Sequence, residues 1–230
     1  RFPYICSRMN SGFEIIEFSW QGMTLQEPMA LLTNWMIAAF SFYAYAQLKK
    51  GVSLFQDLWK SFYMVLGIGM IFGGLGHLFF QYFSFYGKFP SWTLGVLAGI
   101  LASFAMIETV DKEASKKLLQ RIVLIKSVIL LSLSFVTLKF LFVALDTSVT
   151  YLLFCGFLAY RQSKKEWRGI SYFYYGVLAL LPSAFIFGLK FNMHKWLNKD
   201  DLSHIFMLAC VMLFFVGVKS TQKLMPNRLR

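Results

Sequence analysis

Histidine and carboxylate side chains that share a helical face can hold a cation or move a proton. This 230-residue chain has three histidines, His77, His194 and His204. His77 lies in the stretch GGLGHLFFQ (73–81), where every neighbour is glycine, apolar or aromatic until Gln81. Its chemistry there is that of a metal ligand or a general base, or else of a single buried polar group bonded to a neighbouring helix. The second stretch is DDLSH (200–204). Asp200 and His204 stand at i and i+4, so on a helix they share one face and converge on one cation. The same aspartates also suit a helix N-terminus, where aspartate caps free amides and favours the positive end of the dipole. One is therefore expected to cap and the other to remain free. His194, between Met193 and Lys195, reads as a loop residue at a membrane surface.

The elements that must position these groups are membrane spans. Apolar residues make up 57% of the chain and charged residues only 15%, against about a quarter in soluble domains. Too little polar material remains to cover a soluble surface, and the class expected is an all-α polytopic membrane protein. A bilayer needs about 20 apolar residues per helix. Seven stretches meet this, at roughly 27–48, 58–83, 91–110, 118–137, 140–160, 169–191 and 201–219. The fourth and fifth are poorly separated. Pro28 suits the first turn of the first helix, and Pro182 falls inside the sixth. The connections are short, so one seven-helix domain over 27–220 is expected. A segment at 1–26 precedes it and a basic cytoplasmic tail at 221–230 follows.

The net charge of +12 does not signal nucleic acid, because the basic residues form short clusters between apolar runs. They set topology instead. With Lys126 inside the fourth span set aside, 15 of the 23 Lys and Arg fall on one side and 7 on the other. The positive-inside rule then puts the N-terminus outside and the C-terminus in the cytoplasm. His77 lies 17 residues beyond Lys60, about 25 Å along the second helix, in the outer third. Gln81 follows one turn later. His204, Asp200 and Asp201 open the seventh helix at the same face. Thr33, Asn34, Ser183, Asp146 and Thr147 also map to outer halves, which makes Asn34, Gln81 and Asp146 further members of a polar layer. Ionisable residues in a membrane are costly, so they turn inward and find partners. Gly69 and Gly73, spaced small-xxx-small, let a neighbouring helix approach beside His77. Lys126 is expected to snorkel toward the cytoplasm. Trp20, Trp92 and Trp196 fit an outer interfacial belt, and Trp59 and Trp167 an inner one.

Other motifs are excluded. The glycines at 67, 69 and 73 follow no strand and have the wrong spacing for a dinucleotide fingerprint, and no P-loop, HExxH or GxSxG occurs. Cys6, Cys155 and Cys210 form no metal-binding spacing or disulfide framework. The N-terminal stretch does not read as a secretory signal, and Met9 or Met23 is a candidate start.

Seven helices, a histidine late in the second and an acidic and histidine motif opening the seventh resemble the superfamily of membrane hydrolases that includes the alkaline ceramidases. The progestin and adipoQ receptors and the GPI-lipid-remodelling hydrolases belong to the same group. EPMALLTNW (27–35) and NKDDLSHIF (198–206) are similar to an uncharacterised bacterial seven-helix membrane protein family near it. That implies the bacterial inner (plasma) membrane and a start near Met23. The superfamily pattern also implies a zinc site near one membrane face. Its Ser-x-x-x-His element would fall on Gly73 and His77, and its His-x-x-x-His element on Asp200 and His204. Its aspartate opening the third helix has no counterpart, since no Asp lies between Asp57 and Asp111. The resemblance thus implies His77, Asp200 and His204 as zinc ligands, with Asp201 as the proton acceptor. The activity implied is hydrolysis of a lipid amide or ester near the outer face. The alternative expectation is a non-catalytic receptor or lipid-binding protein with a degenerate site. A transporter comes third, because no internal repeat is visible and the polar residues stay in one layer.

Overall fold

The structure is a computed structural model that describes residues 15–164, 167–189 and 191–222. Cys6, Met9 and the basic residues Arg1, Arg8, Lys165, Lys190, Lys223, Arg228 and Arg230 lie outside the described residues, as does most of the tail. Among the described residues, seven helical stretches are long and apolar enough to cross a membrane. The first is α1 (Pro28–Gln47) and the second α2 (Leu54–Leu78). The third joins a four-residue helix α3 (Phe80–Phe83), a 3-10 turn (Ser84–Lys88) and α4 (Phe89–Ile107). The fourth is α5 (Glu113–Thr137). The fifth runs through α6 (Leu141–Thr150), a π-helical stretch (Tyr151–Leu158) and α7 (Ala159–Ser163). The sixth is α8 (Ser171–Gly188) and the seventh α9 (Lys199–Gln222).

The helices pack in chain order, α1 on α2, α2 on α4, α4 on α5, and α5 on α6. Helix α8 then packs on the π-helical stretch and on α9, and α9 on α1, which closes a ring. Aromatic side chains fill its centre. Trp59 stacks on Phe173 with centroids 4.7 Å apart, and Phe62, Tyr63 and Phe214 surround them, all fully buried. Such rings bury large apolar areas and add edge and stacking terms of about 1 kcal/mol per pair. Tyr63 of α2 donates its hydroxyl to the carbonyl of Val211 in α9 at 2.9 Å, so the second and seventh helices meet directly at mid-depth. Helix α5 buries only Val123, Ser127 and Ser134 and turns its remaining apolar side chains outward, as a lipid-facing helix does.

Several expectations change. The second helix ends at Leu78, not at 83, because the chain turns through Phe79 into α3 and reaches φ 51° at Ser84. The fourth and fifth spans are clearly divided by Leu138 in the left-handed region at φ 56°. Trp59 and Trp92 are core residues and belong to neither interfacial belt. Trp20 and Trp196 are exposed. Pro182 does lie inside α8.

One element lies outside the helical pattern. Strands β1 (Glu17–Trp20) and β2 (Met23–Gln26) form an antiparallel hairpin, with Trp20 opposite Met23. Gln21 and Gly22 both have positive φ, 50° and 79°, as a two-residue turn of the type I′ class requires. The Tyr82 hydroxyl accepts from the Thr24 amide at 2.9 Å, which seats the hairpin on the end of the bundle where α2 stops.

Candidate functional site

The site is built where the hairpin, the start of α1, the end of α2 and the start of α9 come together. Glu27 is its centre. It follows β2, precedes Pro28, and takes the left-handed conformation, φ 49° and ψ 58°. A β-carbon is disfavoured there, and such outliers persist only where the surroundings over-determine them. Here the Glu27 amide donates to the Ile16 carbonyl at 2.9 Å, and its own carbonyl accepts from Ala30 and Leu31 as α1 begins. The side chain is thereby turned under the hairpin, where it is about four-fifths buried.

There Glu27 Oε2 accepts a hydrogen bond from His77 Nδ1 at 2.7 Å. Lys88 Nζ lies 3.4 Å from each ring nitrogen of His77 and 4.9 Å from the centroid of Phe80. Glu27 Oε1 is 3.4 Å from Asn198 Nδ2. The carboxylate thus ties the second span to the loop before the seventh, and Lys88 of the third span joins through His77. Burial, the largest single influence, would raise the Glu27 carboxyl. The His77 hydrogen bond and the positive charges of His77, Lys88 and Lys199 outweigh it and hold the group at about 2, against an ordinary 4.5.

The glycines of GGLGH make this approach feasible. A β-carbon on Gly73 would stand 2.8 Å from Asn34 Oδ1, and one on Gly76 would stand 2.8 Å from the Gly87 carbonyl oxygen. Gly76 lets the turn carrying Lys88 lie on α2, and Gly73 admits Asn34 from α1. The space that a serine would need in a Ser-x-x-x-His element is occupied by the Asn34 carboxamide. Gly69 faces Leu94 of α4 at 3.1 Å from its would-be β-carbon, so the two spaced glycines receive different neighbours.

At the start of α9 neither aspartate is the cap. Asn198 caps, its Oδ1 accepting from the amides of Asp200 at 2.8 Å and Asp201 at 3.1 Å. Asp201 Oδ2 accepts in return from the Asn198 amide at 3.0 Å, completing a reciprocal capping box. Asp201, expected as a proton acceptor, is thus engaged in capping the start of the helix through Oδ2, and its Oδ1 is buried without a partner. Asp200 binds Lys199 through both oxygens at 2.8 and 2.9 Å. His204 Nδ1 lies 2.9 Å from Thr33 Oγ1, which itself donates to the Met29 carbonyl at 3.0 Å, and 3.5 Å from Asn34 Nδ2.

His77, Asp200 and His204 therefore share one end of the bundle, within electrostatic range of one another, as do Glu27 and Lys88. Each is held by a different partner: His77 by Glu27, Asp200 by Lys199, and His204 by Thr33 and Asn34 of α1. Among the described residues no group of three His, Cys, Asp or Glu side chains is arranged to hold a metal. An ammonium group rests against His77 and another against Asp200. His194 is an exposed loop residue whose Nδ1 accepts from the Trp196 amide at 3.2 Å. Gln81 is exposed on α3, because the helix breaks before it, and does not extend the face of His77.

Asp146 belongs to another place. It is fully buried in α6 and binds Lys126 of α5, whose Nζ is 2.5 Å from Asp146 Oδ1 and 2.9 Å from Thr150 Oγ1. Ser127 donates to the same carboxylate at 2.8 Å. Lys126 thus reaches inward to a carboxylate rather than snorkelling to the cytoplasm. Glu27 and Lys88 were missed as site residues. An acid immediately before Pro28 and a lysine eleven residues after His77 were the available signals, but both look like ordinary boundary charges.

A pocket of about 130 Å³ opens beside Glu27. Its lining mixes apolar side chains, among them Ile15, Ile16, Pro28 and Met29, with Asn198, Lys199, Asp200 and Asp201. No curated protein and no solved structure matches the chain. A family model does match, over residues 29–223, which include His77, Lys88, Asp200, Asp201 and His204 and begin two residues after Glu27. The chain belongs to that family, DUF6962, a family of unknown function.

Proposed function

We propose that this protein is a membrane receptor or carrier site for the polar headgroup of a lipid, held at the hairpin-covered end of the bundle. The single observation that supports it most is the buried Glu27, His77 and Lys88 group beside a pocket, lined by Glu27 itself, whose lining mixes apolar and charged side chains. Concave sites with a few convergent polar groups are where small ligands bind. A mixed lining at the end of membrane spans suits a molecule with both a tail and a headgroup. The excess of basic residues on the opposite side supports an orientation with this site outside the cell and the C-terminus in the cytoplasm. The bacterial inner membrane and a distant relation to the alkaline ceramidase group are part of the same proposal.

Native mass spectrometry of the protein released from lipid nanodiscs tests it. Saturable retention of about one lipid, lost in Glu27→Gln, is the expected result; lipid retained only in proportion to its abundance overturns the proposal. A zinc-dependent lipid amidase or esterase is the second reading, favoured by two imidazoles at one end. Elemental analysis of wild type beside His77→Ala and His204→Ala decides it: stoichiometric zinc lost in both variants would support hydrolysis.

A further inference from the structure

We infer that the group recognised in this pocket is a primary ammonium, carried by an aminophospholipid headgroup. The inference rests on the headgroup proposal and names its ligand class. It follows from the unmet hydrogen-bonding capacity of the pocket walls. Lys199 has both oxygens of Asp200 and the ring of Phe187, 5.0 Å away, so its charge is matched. Lys88 lies against His77 and Phe80, beside Glu27. Two acceptors remain. Asp201 is 1% exposed, lines the pocket, and keeps Oδ1 without a partner. Among the described residues it is the one carboxylate of the site with no cation bound to it. Glu27 Oε1 has only the long 3.4 Å contact with Asn198.

A buried carboxylate oxygen left without a donor is costly, and the natural complement is a ligand rich in N–H groups. An ammonium supplies three. A phosphate alone would meet these oxygens with like charge. Lys195, exposed at the rim of the same pocket, is left to face the phosphate of the headgroup, while Ile15, Ile16, Pro28 and Met29 meet its carbon atoms. The ammonium of a soluble amine has the same chemistry, so the test includes both sources.

The protein in phosphatidylcholine nanodiscs is titrated with phosphatidylethanolamine, with its N-acetyl derivative, and with free ethanolamine, and bound molecules are counted by native mass spectrometry. Retention of phosphatidylethanolamine at least about tenfold above the N-acetyl lipid is expected. Asp201→Asn should abolish that preference, because asparagine still accepts from the Asn198 amide but carries no charge. An unchanged thermal midpoint would show that this variant is folded, and the comparison of the two lipids on wild type stands without it. Equal retention of both lipids overturns the ammonium inference and leaves the headgroup proposal standing. Ethanolamine binding without lipid retention keeps the ammonium and overturns the lipid source. Retention of none of the three overturns both.

Discussion

Replacing Glu27 with glutamine keeps the shape of the side chain and removes its charge, and the consequence follows from the geometry. The carboxyl is held at about 2 in the folded protein, against 4.5 for an unperturbed glutamate. A depressed acid favours the folded state when ionised. Its contribution is complete above about pH 4.5 and is lost as the pH falls toward 2. The full shift corresponds to about 3 kcal/mol. Because a fifth of the side chain meets solvent, screening trims this to about 1–3 kcal/mol. In a chain of this size that is on the order of 5 °C in thermal midpoint. The assay is thermal unfolding of detergent-solubilised wild type and Glu27→Gln from pH 7 to pH 2. Wild type should unfold higher at pH 7, and the two curves should converge as the pH approaches 2. Equal midpoints at pH 7, or a constant gap at every pH, would refute the pairing of Glu27 with His77 and Lys88.

Gly73→Ser would drive a β-carbon to within 2.8 Å of Asn34 and should cost about 1–3 kcal/mol in unfolding experiments, the range for overpacking; a neutral substitution would mean that α1 does not approach as described. Lys126→Met leaves Asp146 buried and unpaired and should cost about 3–5 kcal/mol, whereas Lys126→Met with Asp146→Leu should recover most of the loss. If the double variant is no more stable than the single one, the two groups are not partners. Single cysteines placed at Tyr86 and at Lys50, both exposed, should react with an impermeant thiol reagent in intact cells at position 86 only. Labelling at position 50 alone would reverse the proposed orientation.

The number of spans was legible because a bilayer demands about 20 apolar residues whatever the tertiary contacts. The end of the second helix was not. Apolar residues continue through Phe79, Phe80 and Phe83, and hydropathy does not register the break that Ser84 and Gly87 accommodate. The two imidazoles were placed at the same end correctly, since depth follows from counting residues along a helix. Their partners were not, because a partner depends on how the helix ends and the hairpin pack together. Position 198 illustrates the difference. Asn, Asp and Asp in series all make good caps, and only the path of the loop before α9 selects Asn198 and leaves Asp201 at the third position. From the sequence, Lys126 is expected to snorkel and Asp146 to join the outer polar layer, and their twenty-residue separation conceals the pairing across α5 and α6. In the sequence Glu27 stands at the edge of a helix, where an acid is commonplace. What singles it out is a left-handed backbone beside a proline.

The most direct test of a headgroup site at the hairpin end is to find where a lipid headgroup rests. A phospholipid with a photoreactive diazirine on its headgroup, activated in nanodiscs and mapped by peptide mass spectrometry, reports that position. Crosslinks concentrated at residues 15–29 and 192–201, and suppressed by excess unlabelled lipid, are the expected outcome. Crosslinks confined to the lipid-facing surfaces of α5 and α8, or unaffected by competitor, would contradict it.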